Sequence, residues 1–351
     1  CGGGTSQFES FQPQRLLAFG DETSALTASG KKYAVNGVNS TDSTGNTVET
    51  LDCTLFPNWV QSVASAYGFV FPQCNPNLVD TAQALMLAEP GARVADLQVQ
   101  IDQQTANGGF RDGDLATVLL GANDIVELYQ QFPGREEADI LAEAGQRGKQ
   151  LALQINRLVD LGAKVIVSTV PDMGLTPYAI QQRNDFTDTD RAALLSRLTQ
   201  AFNEQLGVNI LLDGRYIGLV QTDLQVQAMA RSPASFGLAN VTDAACLSTA
   251  VLPDCTTSTL IDTATASTWL WADTLRPGAR EVVAALKKIG VKRVVMITGD
   301  SVRVARAIGA QAGVDEVYAD LLPEDKVRIV KENLKYGKVA MVGDGVNDAP
   351  A

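Results

Sequence analysis

Short apolar segments alternate with amphipathic helices in the first two thirds of the sequence. The apolar segments are residues 16–19, 115–120, 164–170 and 216–220. Between them, apolar residues recur at helical spacing, most clearly in residues 136–160 and 188–208. Strands that are apolar throughout and alternate with helices are typical of a parallel sheet that is covered on both faces. The sequence therefore predicts an α/β fold in which a parallel sheet is the middle of three layers.

Glycine and short polar residues follow two of these predicted strands. Gly20 and Asp21 come after the first strand, and Gly121, Asn123 and Asp124 come after the second. The carboxyl ends of parallel strands lie at the same edge of a sheet, and ligands of such folds bind at that edge. We therefore expect the functional site to lie where these two segments meet.

The same two segments belong to a series of four short blocks. In chain order the blocks are Phe19-Gly20-Asp21, Gly91 within PGARV, Gly121-Ala122-Asn123-Asp124 and Trp271-Ala272-Asp273. This series resembles the SGNH or GDSL hydrolases, a family of esterases and lipases, and its third block matches in full. The resemblance covers roughly residues 14–275. It implies a three-layer fold and the hydrolysis of esters without a cofactor.

The reacting groups of that family are missing from this chain. The resemblance implies that a serine attacks the ester, that a histidine accepts its proton, and that Gly91 and Asn123 bind the oxyanion. The serine position is Glu22. The histidine position is Arg276, which stays protonated and cannot act as a base. Because the sequence contains no histidine at all, we expect a site that is impaired as an ester hydrolase. The candidate residues of this degenerate site are Asp21, Glu22, Gly91, Asn123 and Asp273.

Three alternatives concern position 22 and its surroundings. Ser24 could replace the missing nucleophile, although two residues of helix would turn it about 200° away from position 22. Glu22 and Asp273 could act as a carboxylate pair in glycosidase-like chemistry. Glu22 and Arg276 could instead form a charge pair that fills the site. That pair would leave a non-catalytic module that binds a small-molecule ester or a glycan.

The first residues are typical of an exported lipoprotein. Cys1 is followed by three glycines and a polar stretch, so that residues 1–14 resemble the tether of a mature bacterial lipoprotein. In such proteins the cysteine thiol carries a lipid, which anchors the protein to a membrane. We therefore expect residues 1–272 to be periplasmic or attached to the outer membrane, with Cys1 as the lipidation site.

The other four cysteines occur as two close pairs. Cys53 lies 21 residues before Cys74, and Cys246 lies 9 residues before Cys255. Three pairings of four cysteines are possible, and proximity favours the two local ones. Such disulfides would form in an oxidising compartment, in agreement with export.

The distribution of charge divides the chain near residue 273. The net charge is −12, but residues 273–351 are rich in lysine and arginine, so residues 1–272 carry the whole negative excess. An acidic chain is a poor partner for nucleic acid. The break predicts a tether over residues 1–14, a hydrolase-like domain over residues 15–272 and a different domain over residues 273–351.

Four further blocks lie in order within the last domain. They are DTLRPG at 273–278, TGD at 298–300, LPEDK at 322–326 and GDGVNDAP at 343–350. This set resembles the phosphorylation domain of a heavy-metal-transporting P-type ATPase, within the haloacid dehalogenase superfamily. It implies an incomplete HAD-like, Rossmannoid α/β domain that binds phosphate and Mg²⁺. The implied phosphate-binding residues are Thr298, Gly299, Asp300, Lys326 and Asn347, and the implied Mg²⁺ ligands are Asp344 and Asp348.

The phosphorylated aspartate of that family is absent, because no Asp-Lys-Thr-Gly-Thr motif occurs in the chain. The strand that bears it would lie between the strands predicted at residues 291–298 and 338–342. Its loss would leave unpaired backbone groups on both. We therefore expect these two strands to close up, to borrow a strand or to stay partly disordered. A Mg²⁺- and phosphate-binding ATPase fragment is an alternative function, although such a domain is cytoplasmic and residues 1–272 resemble an exported protein.

Overall fold

The chain divides into two compact units, Cys1–Leu275 and Arg276–Ala351. The computed structural model describes residues 11–39, 48–273, 287, 291–297, 302, 305, 313–319, 321 and 323–336. The division between the units lies close to the break in charge at residue 273.

A five-stranded parallel sheet forms the centre of the first unit. Its strands, in spatial order, are β4 (Ala84–Met86), β1 (Arg15–Gly20), β5 (Asp114–Leu119), β6 (Lys164–Ser168) and β7 (Ile217–Val220). In the register, Leu16 lies opposite both Ala84 and Leu115. The predicted α/β fold with a parallel sheet is confirmed. Strand β4 has no counterpart among the predicted strands, because three residues are too few to form a recognisable pattern.

Helices connect these strands and cover the sheet. They are α1 (Trp59–Ala66), α2 (Val94–Ala106), α3 (Ala122–Tyr129), α4 (Glu137–Asp160), α5 (Pro177–Asp185), α6 (Arg191–Asn209) and α7 (Thr222–Arg231). The two long helices, α4 and α6, correspond to the two stretches of predicted helical spacing. Helix α6 begins after Asp190, whose side chain accepts a hydrogen bond from the backbone N–H of Ala193, as expected of an N-cap residue.

The two faces of the sheet belong to separate apolar clusters. Leu17 and Phe19 of β1 point to one face, where the buried side chains of α2, α4 and α6 pack against them. Leu16 and Ala18 point to the other face and contact α1 through Val60. Successive side chains of a strand alternate between faces, so a strand buried on both sides must be apolar throughout. The result is a sheet between two helical layers.

Among the described residues of the first unit, two disulfides and two short sheets lie outside this central sheet. Cys53 is bonded to Cys74, with 5.7 Å between their Cα atoms, and Cys246 is bonded to Cys255, with 6.0 Å. The local pairing is therefore confirmed. The short sheets pair β2 (Gly37–Asn39) with β3 (Thr50–Asp52), and β8 (Asn240–Ala244) with β9 (Trp269–Trp271).

The described part of the second unit contains a small parallel sheet and a helix. Strand β10 (Val295–Ile297) pairs with β11 (Glu316–Tyr318), and α8 (Pro323–Asn333) follows. Lys287 forms an ion pair with Asp315 at 2.9 Å. The strand predicted at 338–342 lies outside the described residues. The three outcomes expected for the gap beside it, closure, a borrowed strand or partial disorder, therefore stay predictions.

Among the helices of the described residues, we find none that is long and apolar enough to cross a membrane.

Candidate functional site

Two glycines allow the first and third blocks to meet at the carboxyl edge of the sheet. Gly20 ends β1 with a φ of +132°, and a Cβ there would lie 2.2 Å from the carbonyl oxygen of Leu119 in the neighbouring strand. Gly121 precedes α3 with a φ of +127°, and a Cβ there would lie 2.5 Å from the ring of Phe202. Both positions therefore exclude a side chain, because the backbone has a positive φ and because a Cβ atom would clash with neighbouring atoms.

A single carboxylate oxygen lies between the second and third blocks. Oε2 of Glu22 accepts a hydrogen bond from the backbone N–H of Gly91 at 2.8 Å and another from Nδ2 of Asn123 at 3.0 Å. These are the two donors that the sequence resemblance assigns to the oxyanion hole. The structure thus brings Glu22, Gly91 and Asn123 together, and both donors are directed at a side chain of the protein itself.

The distances are those required of donors that stabilise an oxyanion. Such donors lie about 2.7–3.1 Å from the oxygen that carries the negative charge. The Glu22 carboxylate stands in for that oxygen, because it carries negative charge on an sp² oxygen and meets both donors. A substrate carbonyl cannot reach the same donors while the Glu22 side chain occupies them.

The loop that carries Gly91 is held by contacts that do not involve Glu22. The N–H of Glu89 donates to the carbonyl oxygen of Gly20 at 3.0 Å, which ties the loop to the end of β1. Nδ2 of Asn123 also donates to the carbonyl oxygen of Ala92 at 3.1 Å. The positions of both donors are therefore set by the surrounding backbone.

Asp124 links the helices on either side of the site. Its Oδ2 accepts from the N–H of Val94 at 2.9 Å, at the start of α2, and its Oδ1 accepts from Nη1 of Arg147 at 3.1 Å. Burial raises the pKa of Asp124, while the hydrogen bond from Val94 and the charge of Arg147 oppose that rise. Sequence reasoning did not identify Arg147, because it lies in the middle of α4 and belongs to no motif.

Asp21 lies fully buried beside this arrangement. Its Oδ1 accepts from the N–H of Thr23 at 3.0 Å and from Oγ1 of Thr23 at 2.6 Å. Its Oδ2 has no hydrogen-bond partner among the described residues. Burial raises the pKa of Asp21 well above its ordinary value, and the neighbouring charge of Glu22 adds to the rise. Asp21 is therefore easily protonated and has no exposed oxygen with which to contact a substrate.

A family model for the GDSL-like lipases and acylhydrolases matches residues 16–223, which is more than half of the chain. The chain belongs to this GDSL-like family. Among solved structures, a lipolytic G-D-S-L protein from Veillonella parvula is 13% identical, with a TM-score of 0.35, and the alignment covers 65% of this chain and 87% of that one. An acetylxylan esterase from Geobacillus stearothermophilus is 18% identical, with a TM-score of 0.32 and coverages of 65% and 86%.

A second family model, that of the haloacid dehalogenase-like hydrolases, matches residues 187–351. A probable cadmium-transporting ATPase from Alkalihalophilus pseudofirmus is 48% identical over 81 residues, which are 23% of this chain and 11% of that protein. A manganese-exporting P-type ATPase from Mycobacterium leprae is 49% identical over 80 residues, which are 22% and 11% of the two chains. The chain thus spans about a tenth of the length of these curated relatives, and a GDSL-like domain is joined to an ATPase-like segment.

The structure argues against Ser24 as a displaced nucleophile of the GDSL-like domain. Residues 21–24 form a turn, not the helix assumed for the spacing argument. Ser24 is fully buried, and its Oγ accepts a hydrogen bond from Nε1 of Trp59 at 3.0 Å. Its hydroxyl therefore faces α1 and lies out of reach of solvent.

The other candidate residues lie at or beyond the limit of the described residues. Asp273 is half-buried at the end of the described part of the GDSL-like domain, and its pairing with Glu22 stays a prediction. Arg276 lies outside the described residues, as does its predicted pairing with Glu22. Lys326 falls within α8. The residues outside the described ranges are Cys1, Thr298, Gly299, Asp300, Asp344, Asn347 and Asp348. Within the described ranges no group of three aspartate, glutamate or cysteine side chains is placed to hold a metal ion.

Proposed function

We propose that residues 15–272 are a GDSL-type domain of an exported lipoprotein that is impaired as an ester hydrolase. The observation that carries this proposal is the position of Glu22, whose carboxylate lies on the Gly91 N–H and the Asn123 amide. Ester hydrolysis on this fold needs a hydroxyl at position 22 and free donors opposite it. Because residue 22 is a glutamate, the chain lacks this hydroxyl. The Glu22 carboxylate also occupies the donors that an ester carbonyl would need.

The absence of a general base supports the same proposal. A serine hydroxyl is a weak nucleophile until a neighbouring base accepts its proton, and the sequence offers no histidine for that role. The half-buried Asp273 is an acid whose usual partner position is filled by Arg276, and a guanidinium does not accept protons at working pH. What is left is the capacity to bind a small-molecule ester or a glycan without turning it over.

Turnover of p-nitrophenyl acetate tests the proposal. We expect the parent chain and its Glu22→Ala variant to hydrolyse this ester no faster than buffer containing a heat-denatured sample. Glu22→Ser restores the hydroxyl and frees the donors, so it should show slow turnover above that level. Parent turnover that Ser24→Ala abolishes would overturn the proposal, because the nucleophile would then be Ser24.

The proposal of export rests on the amino-terminal sequence and on the two disulfides. Structural disulfides persist in oxidising compartments, and the chain uses four of its five cysteines in them. The fifth is Cys1, which is the proposed lipidation site. The chain can be purified from the membranes of a bacterium that exports it with a lipoprotein signal. Mass spectrometry of its amino-terminal peptide should then show a lipid on Cys1. An unmodified Cys1 would contradict this part of the proposal.

A second candidate function concerns the ATPase-like segment. Its 48% identity to a cadmium-transporting ATPase over 81 residues favours binding of phosphate and Mg²⁺ by Thr298, Lys326, Asp344 and Asp348. Mg²⁺ would supply positive charge to phosphate oxygens, and carboxylates are its usual ligands. Without a phosphorylated aspartate the segment should bind but not turn over acetyl phosphate. Mg²⁺-dependent hydrolysis of acetyl phosphate, lost in Asp344→Asn, would refute this expectation.

A further inference from the structure

We propose that Gly91 and Asn123 form a working carboxylate-binding site, that Glu22 is its internal ligand, and that short carboxylates bind there once Glu22 is removed. The inference rests on the proposed function in one respect, the assignment of position 22 to the reaction site. Beyond that function, the site would bind short carboxylates, and Glu22 would act as an internal inhibitor that blocks their binding.

The donors converge on one point in space, and Glu22 marks that point. Both hydrogen bonds end on the same oxygen, Oε2, at 2.8 Å from the Gly91 nitrogen and 3.0 Å from the Asn123 nitrogen. Hydrogen bonds to a charged acceptor are stronger than those between neutral groups. Asn123 also lies in the first turn of α3, where the exposed N–H groups of a helix favour negative charge.

The site does not depend on Glu22 for its shape. The N–H of Glu89 binds the carbonyl oxygen of Gly20, and Nδ2 of Asn123 binds that of Ala92. Asp124 ties the start of α2 to α3 through the N–H of Val94. These contacts hold the two donors in place when the side chain at position 22 is shortened, so truncation should leave an empty hole with a preserved geometry.

The charges around the hole permit a second anion to replace the first. Asp124 is paired with Arg147, which offsets its charge. Asp21 is the neighbouring acid, and its fully buried side chain already lies beside the carboxyl group at position 22. An external carboxylate that replaces the Glu22 carboxylate leaves the number of charges in the site unchanged.

The size of the ligand follows from the atoms that truncation removes. Glu22→Ala deletes a CH₂ group and a carboxylate, and acetate supplies the same heavy atoms. Glu22→Gly deletes one carbon more, and propionate supplies the same heavy atoms as that larger deletion. The proposal therefore predicts that acetate is preferred by the alanine variant and propionate by the glycine variant.

Binding of ¹³C-labelled acetate and propionate to the full chain at pH 7, measured by NMR line broadening, tests the inference. We expect Glu22→Ala to bind acetate at least tenfold more tightly than the parent chain, in which Glu22 competes from within. Adding Asn123→Ala should weaken that binding about tenfold or more, because one hydrogen bond to a charged group is lost. Glu204→Ala, which removes an exposed glutamate from α6, is the matched control and should behave as the parent does.

Two results would overturn the inference. One is a Glu22→Ala variant with parental circular dichroism that binds acetate no better than the parent. The other is acetate binding that Asn123→Ala leaves unchanged, since the ligand would then lie elsewhere. The proposed function fails by a different result, hydrolysis of p-nitrophenyl acetate by the parent chain, so the two outcomes can be told apart.

Discussion

At the scale of single residues, the exchange of a hydroxyl for a carboxylate at position 22 changes reach as well as charge. A serine oxygen lies one bond beyond Cβ, whereas a glutamate oxygen lies three bonds beyond it. The longer side chain of Glu22 therefore extends across the site to the donors opposite, Gly91 and Asn123, instead of stopping beside them. Glu22 thus stands where the family resemblance implies a serine, and one of its carboxylate oxygens accepts hydrogen bonds from both donors.

The neighbouring residue, Asp21, makes a prediction about pH. Its pKa is raised above 3.8 by burial first and by Glu22 second, so the folded chain keeps this proton at pH values where the unfolded chain has lost it. The folded state then binds more protons than the unfolded state, and stability must fall as pH rises through this range. Asp21→Asn removes the titration, and we expect the variant to lose less stability than the parent as pH rises from about 4, the ordinary pKa of an aspartate, towards neutrality.

Urea denaturation of the parent and of Asp21→Asn across this pH range measures the effect. Asp188→Asn is a suitable control, because Asp188 is exposed, pairs with Arg191, and has a pKa lowered by that pair. Its replacement should change the pH dependence in the opposite sense. Parallel curves for the parent and Asp21→Asn would contradict the burial argument.

At the scale of elements, the close approach of α4 and α6 depends on a glycine. A Cβ at Gly148 in α4 would lie 2.0 Å from the backbone carbonyl oxygen of Phe202 in α6. The obstructing atom belongs to the backbone, so no rotation of a side chain can relieve the contact. Phe202 also packs beside Gly121, at the start of the helix that carries Asn123, so a shift of α6 would disturb the candidate site.

We therefore expect Gly148→Ala to lower the free energy of unfolding by about 1–3 kcal/mol or more, the range found for overpacked cores. Gly207→Ala provides the matched control, because Gly207 lies in α6 with open space at its Cβ position. There the change should raise stability by about 0.5–1 kcal/mol, since alanine is the better helix former. Urea denaturation measures the free energy of unfolding of both variants. Equal changes in this free energy would contradict the packing argument.

At the scale of the whole chain, two sequences of different kinds meet near residue 273. The first, for which we propose export, is cross-linked by Cys53–Cys74 and Cys246–Cys255. The second matches a domain that is cytoplasmic in P-type ATPases and holds no cysteine. The disulfides therefore connect the stability of the first unit to its redox environment.

Removal of the disulfides tests that connection. We expect Cys53→Ser/Cys74→Ser to lower the free energy of unfolding by about 3 kcal/mol, because the bond closes a loop of 21 residues in the unfolded chain. The Cys246–Cys255 bond closes a loop of only 9 residues, so Cys246→Ser/Cys255→Ser should lower the free energy of unfolding by about 0.7 kcal/mol less. Chemical denaturation, monitored by the tryptophan fluorescence of the first unit, measures the free energy of unfolding of both double variants. A larger loss for the shorter loop would contradict the entropic argument.

The sequence by itself determined the parallel sheet, its main strands and its long helices. Apolar periodicity is a local property, so it can be recognised from neighbouring residues without knowledge of the tertiary structure. Block order and cysteine spacing likewise determined the family resemblance and the local disulfides, and they placed Glu22, Gly91 and Asn123 at one candidate site. Tertiary structure alone decided that one Glu22 oxygen meets both donors, that Ser24 turns towards Trp59, and that Arg147 pairs with Asp124. The direction of a side chain depends on neighbours far away in sequence, and no spacing along the chain encodes that direction.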